Sequence, residues 1–167
     1  MERIDTVVES GEKVVVFSQY VQFIKLLSKK LKHKHVVFHG GMNAKDKEVA
    51  RMQFRNDPDT VVFVSSDSGW YGVDLPQASV LINYDLPWSA GAADQRNARI
   101  DRMSTEHEKI YIEDVIVTGS VEQWIADKVN NKREVGDAIM DGKGVDADGR
   151  VNASTESLTA FIDSNAV

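Results

Sequence analysis

The chain has 167 residues, 42% of them hydrophobic and 28% charged, which is enough for one sizeable core but not two, so a single domain is expected. Cysteine is absent, which excludes disulfide frameworks, thiolate zinc sites and cysteine nucleophiles together. Net charge is −6, and from Glu134 onward seven acids face only Lys143 and Arg150, so bulk electrostatics gives nucleic-acid binding no support.

No apolar run is long enough to cross a bilayer, and Met1 to Asp5 is too polar to open a signal peptide. A soluble, intracellular placement with no membrane partner is expected, cytoplasmic or, in a eukaryote, nuclear.

Strands are expected at Val14 to Phe17, Val36 to Phe38, Val61 to Val64, Val80 to Ile82 and, with clearer alternation, Ile110 to Val117. Short continuous apolar runs of this kind read as strands covered on both faces. Between them, Tyr20, Phe23, Ile24, Leu27 and Leu31 recur at helical spacing after Ser18, a candidate N-cap. Asn43 is a candidate cap for a second helix through Val49, Ala50, Met52 and Phe54, stopped by Asn56-Asp57-Pro58. A third is expected after Gly119, where Ser120 and Gln123 have capping-box spacing and Val121, Ile125 and Val129 form a stripe. The alternation predicts an α/β fold, a parallel sheet with helices on both faces joined by right-handed crossovers. Residues 1–140 are expected to form this domain; 141–167 read as an acidic, glycine-rich, mobile tail in which Ser154 to Ile162 could make a short helix.

Function in such sheets sits at the carboxyl ends of the strands. Those ends are Ser18-Gln19-Tyr20, His39-Gly40-Gly41, Ser65 to Gly69 and Asn83-Tyr84-Asp85, all polar or glycine-bearing. No phosphate-cradling loop ending in Gly-Lys-Ser or Gly-Lys-Thr occurs, so the chain is not expected to hydrolyse ATP alone. Gln95, Arg99 and Arg102, spaced by four and three, would share one helical face, and two guanidinium groups on one face can grip phosphate. A solvated helix paired to Asp94 and Asp101 explains the same spacing. The hydroxyls and glycines of Ser65 to Pro76 suit nucleic-acid phosphates, and Asp74 suits a ribose hydroxyl; a plain polar turn is the alternative. His33, His35 and His39 lack a suitably spaced acid and read as solvated residues, not as a metal site. Lys25, Lys29, Lys30, Lys32 and Lys34 form the densest basic run, either a nucleic-acid contact or a solvated face.

Taken in order, these segments resemble the second RecA-like lobe of superfamily two helicases, most closely the Swi/Snf class of double-stranded DNA translocases, over roughly Lys13 to Met140. Val14 to Tyr20 is similar to motif IV, Ser65 to Leu75 to motif V, and Gln95, Arg99 and Arg102 to motif VI, with Trp88 as in the Swi/Snf class. The wording departs at Trp70 and Ala98, where the family carries glycine, and at Asp101, where the Swi/Snf class carries histidine. The resemblance implies that a first lobe, in cis or in trans, binds ATP and Mg²⁺ while this lobe closes on the nucleotide and holds DNA, double-stranded in preference. Arg102 would be the arginine finger, Arg99 would contact the γ-phosphate or couple the lobes, and Gln95 would support closure. Gly72 and Asp74 would face the nucleotide, and Ser18, His39, Gly40 and Ser66 would lie near DNA phosphates. With Met1 only about one strand ahead of motif IV, a first lobe is expected to lie outside this chain.

Two other readings use the same residues. A non-catalytic interaction module on this fold would tolerate loss of the motif VI arginines. An unrelated magnesium-dependent hydrolase would use Asp67, Asp74 and Asp85 and would be active alone. In either lobe reading, DNA binding by the isolated chain is expected to be weak at a net charge of −6.

Overall fold

A computed structural model of the protein describes residues 1–66, 73–87, 90–101, 105, 107–116, 119, 123 and 126. The chain divides into two compact units, Met1–Asp85 with Gln95–Val115, and Leu86–Asp94 with Ile116–Val167. All five strands among the described residues belong to the first: β1 (Val14–Phe17), β2 (His35–Phe38), β3 (Val62–Ser65), β4 (Val80–Asn83) and β5 (Tyr111–Asp114). They form one wholly parallel sheet in the order β2-β3-β1-β4-β5. This is the α/β, RecA-like architecture expected from the sequence. No described helix is long and apolar enough to cross a membrane.

Register explains the covering of both faces. Val14 and Val16 of β1 align with Val62 and Val64 of β3 and with Val80 and Ile82 of β4, and all six face helices α1 (Glu2–Glu9) and α2 (Val21–Lys30) through Ile4, Val7, Ile24 and Leu27. The alternate residues Val15, Phe17, Val36, Phe38, Phe63 and Leu81 face α3 (Ala44–Asn56) through Ala50 and Phe54, together with Leu75 and Ile100. Placing α2 and α3 on opposite faces is what connections of one hand require, because the chain moves outward from β1 to β2 and back from β2 to β3. Phe63 lies at the centre, edge-on to Phe54 at 5.2 Å and tilted to Phe38 at 5.5 Å.

Asn43 caps α3 as expected, its Oδ1 accepting from the Asp46 N–H at 2.8 Å. At the other end of α3, Lys13 donates from Nζ to the carbonyls of Phe54 and Asp57, placing a cation where orphan carbonyls gather. Two local expectations are corrected. Ser18 does not cap α2; the helix starts at Val21 behind Tyr20, and the Ser18 hydroxyl accepts from the Tyr20 N–H at 3.1 Å. α1, ahead of β1, is not among the expected elements; its Ile4 and Val7, three apart, share one buried face. The last strand covers Tyr111–Asp114 only and is mostly exposed, because it is the edge of the sheet. Gln123 and Ala126 are helical, and the Gln123 side chain accepts from the Gly119 N–H at 2.7 Å. The other residues of that helix, together with 141–167, lie outside the described residues.

Asp57 ends α3 and accepts from Lys34 Nζ at 2.7 Å, from the Thr60 hydroxyl at 2.7 Å and from the Asp59 N–H at 3.1 Å. The Lys34 contact first, and the Thr60 hydroxyl next, hold its carboxyl down from 3.8 to about 2. Because the folded value is the lower one, Asp57 contributes stability above about pH 4, and that contribution is lost as pH falls toward about 2. An NMR titration of the Asp57 carboxyl checks this: Lys34→Ala is expected to return its midpoint toward 3.8.

Candidate nucleotide and nucleic-acid edge

In a parallel sheet every strand ends on the same side, so the four polar strand ends of β1 to β4 converge on one edge. At its middle lies a buried polar network. Asp85, just past β4, accepts from the Ser18 hydroxyl and, through both carboxylate oxygens, from the Gln19 N–H at 3.1 Å. Arg96, in the last turn of α4 (Ala90–Asn97), reaches the same acid. Its Nη1 donates to the Asp85 carbonyl at 2.6 Å and to Asn83 Oδ1 at 3.4 Å, and its Nη2 stands 3.6 Å from Asp85 Oδ1. The guanidinium lies 4.0 Å from the centre of the Phe17 ring. Asn83 completes the set by donating to Asp114 at 2.8 Å. A guanidinium only 2% exposed is tolerable because carboxylate, carbonyl, amide and ring all meet it.

The sequence reading missed Arg96. Its signal was spacing: three residues after Ala93 and four before Ile100, both buried, Arg96 falls on the apolar face of its own segment.

Arg99 is placed differently from the expectation. α4 stops at Asn97 and the chain passes through a turn, with the Arg99 N–H bonded to the Arg96 carbonyl and Ile100 buried beneath, so Gln95 and Arg99 do not share one continuous helical face. Gln95 is exposed in the last turn. Arg99 is mostly buried, its Nη1 3.8 Å from the half-exposed Asp74 carboxylate, and its buried Nε has no hydrogen-bond partner among the described residues. The meeting of Arg99 and Asp74 is fixed by the backbone, since the Leu75 N–H donates to the Arg99 carbonyl at 3.0 Å. Arg102 and Gly72 lie outside the described residues, as do Asp67 to Tyr71 and Trp88.

On the β2 and β3 side, His39 and Gly40 are partly exposed at the strand end. The His39 ring accepts from the Gly41 N–H at 3.2 Å, and a Cβ at Gly41 would stand 3.3 Å from that ring, so the glycine permits the close turn. Ser18 and Ser66 are both fully buried. Ser18 spends its hydroxyl on Asp85 and Tyr20, and the Ser66 N–H joins the Phe38 carbonyl at 3.0 Å, so these serines shape the edge instead of presenting hydroxyls to solvent.

The three histidines do not converge. His33 meets Asp5 at 2.8 Å, His35 meets Ser28 at 2.8 Å, and among the described residues no group of three potential ligands is suited to a metal ion. A cavity of about 520 Å³ opens at the opposite, amino-terminal edge between α1 and the starts of β4 and β5. Its polar groups serve one another: Ser79 donates to Glu12 at 2.6 Å, and His107 stands 3.6 Å from the same acid.

The helicase conserved C-terminal domain matches residues 1–104. The chain belongs to this family. Its relatives are of the Swi/Snf type: it is 31% identical over 138 residues to the DNA repair and recombination protein RAD54-like of Drosophila mojavensis, covering 79% of this chain and 17% of that one. It is 28% identical over 135 residues to ATP-dependent helicase ULS1 of Saccharomyces cerevisiae, covering 78% of this chain and 8% of that one. The chain thus spans under a fifth of these relatives' length. Among solved structures it superposes on the C-terminal part of the Fun30 ATPase domain with a TM-score of 0.74 at 21% identity, over 98% of this chain and 50% of that one. The Sulfolobus solfataricus SWI2/SNF2 ATPase core in complex with dsDNA matches with a TM-score of 0.70 at 25% identity, over 96% of this chain and 34% of that one.

Removing one partner of a buried ion pair leaves the other charge uncompensated, at a cost of about 3–5 kcal/mol. Arg96→Ala and Asp85→Ala are each expected to destabilise the fold by that amount in urea denaturation, whereas Gln95→Ala, at an exposed position, is expected to change it by less than about 0.5 kcal/mol.

Proposed function

We propose that this chain is the second RecA-like lobe of an ATP-dependent, Swi/Snf-class DNA translocase, completing a site whose first lobe lies on another part of the polypeptide or on another chain. The observation that carries the reading is Arg99. A guanidinium that is partly exposed beside the segment after β3, and that has only a long 3.8 Å contact to an exposed acid as its ion pair among the described residues, suits an incoming anionic oxygen.

ATP with Mg²⁺, bound mainly by the first lobe, supplies the phosphoryl group and its charge neutralisation. Arg99 binds the γ-phosphate, and Arg102 acts as the arginine finger. Asp74 orients Arg99 from the cleft side and, with Gly72, faces the nucleotide, while Gln95 supports closure. His39 and Gly40 contact DNA phosphates directly, and Ser18 and Ser66 hold the backbone that presents them. Backbone contacts of this kind carry little base information, as a motor that travels along duplex DNA requires.

The chain combined with a first RecA-like lobe bearing a Gly-Lys-Thr loop is expected to hydrolyse ATP in a DNA-stimulated manner, read by phosphate release. Arg102→Ala or Arg99→Ala is expected to lower turnover by about a thousandfold or more. Turnover by the purified chain alone would overturn the reading, and a combined enzyme indifferent to both arginines would leave an interaction module in its place.

A further inference from the structure

From Val21 to Lys34, α2 and the loop after it carry five lysines and no acid, in a chain whose net charge is −6. Lys34 is spent on Asp57. Lys25, Lys29, Lys30 and Lys32 are exposed and make no ion pair among the described residues. Asp5, the α1 acid that touches this loop, is taken by His33 at 2.8 Å. Ile24 and Leu27 bury the inner side of α2, so the ammonium groups stand on its outer side.

Topology separates this face from the site described above. α2 leaves the carboxyl end of β1 and returns to the start of β2 at His35, which carries Lys29, Lys30 and Lys32 toward the amino-terminal edge. Lys25 and Lys29 are one helical turn apart, about 6 Å along the axis at 1.5 Å per residue.

We propose that this lysine face is a second nucleic-acid contact, a track for the phosphate backbone of duplex DNA outside the cleft. The choice of duplex DNA rests on the function proposed above; the charge argument stands without it. Lysine is a hydrated point charge on a flexible stem, suited to a repeating polyanion that makes no geometric demand. An acidic protein partner fits less well, because protein interfaces are depleted in lysine and draw on aromatic residues and arginine.

The test is fluorescence anisotropy of a labelled random-sequence duplex with the full chain, titrated at several low salt concentrations and in the absence of nucleotide. The triple substitution Lys25→Gln, Lys29→Gln, Lys32→Gln is expected to weaken binding by about tenfold or more and to reduce the salt slope by about one unit per lysine. Circular dichroism checks that the variant keeps its fold, and Lys34→Gln, at the lysine already paired, is expected to change binding by less than about twofold. Duplex affinity and salt slope unchanged in the triple variant would overturn the proposal. A labelled polyglutamate that binds as tightly as the duplex and loses as much in the variant would also overturn it, assigning the face to an acidic protein. Because no nucleotide or first lobe is present, failed ATPase complementation would leave this result standing, and unaltered duplex affinity would leave the ATPase reading standing.

Discussion

The carboxyl-terminal edge of this sheet depends on the buried pairing of Asp85 with Arg96. One carboxylate collects the end of β1, through Ser18 and the Gln19 N–H, and the end of α4, through the guanidinium, while the Arg96 cation rests on Phe17. Strand tips are where a parallel sheet runs out of partners of its own, and polar backbone there must be satisfied locally. The network answers that need with side chains whose geometry leaves little freedom. Its cost in desolvation is large, and its return is in positional precision: the turn that carries Arg99 starts at Arg96, whose carbonyl accepts the Arg99 N–H.

That precision gives the fold its functional logic. The apolar layers on the two faces fix where the strands end, the polar network fixes how the segments beyond β1 and β4 leave the sheet, and Arg99 and Asp74 then meet at the margin. Arg96 stabilises the edge from within, fully buried against Asp85 and Phe17, whereas Arg99 is partly exposed and meets the half-exposed Asp74 at 3.8 Å. Two arginines three apart thus differ in surroundings, one buried in the network and one at a partly exposed corner.

Much of this was legible in the sequence. Four of the five strands announced themselves as continuous apolar runs, three of them, β1, β3 and β4, because both their faces are covered, and the cap of α3 was readable because Asn43 acts on a backbone donor three residues away. Edges and partners were less legible. β5 was overextended because alternation persists past the point where pairing with β4 stops. Ser18 looked like a cap, since a serine ahead of an apolar period is a cap whenever nothing competes for its hydroxyl; here Asp85, 67 residues away, competes and wins. The expected helical face failed for a related reason: spacing says which side chains would align if a helix continued, and burial of Ile100 together with the Leu75 tether ended it at Asn97.

The main-chain hydrogen bond from Leu75 to Arg99 ties the segment after β3 to the turn after α4 without consulting any side chain. Substitution at the Asp74 side chain can therefore change the charge at this corner while the spacing of its two loops is kept. Such a joint lets the side chains of the corner vary while the frame that holds them stays put.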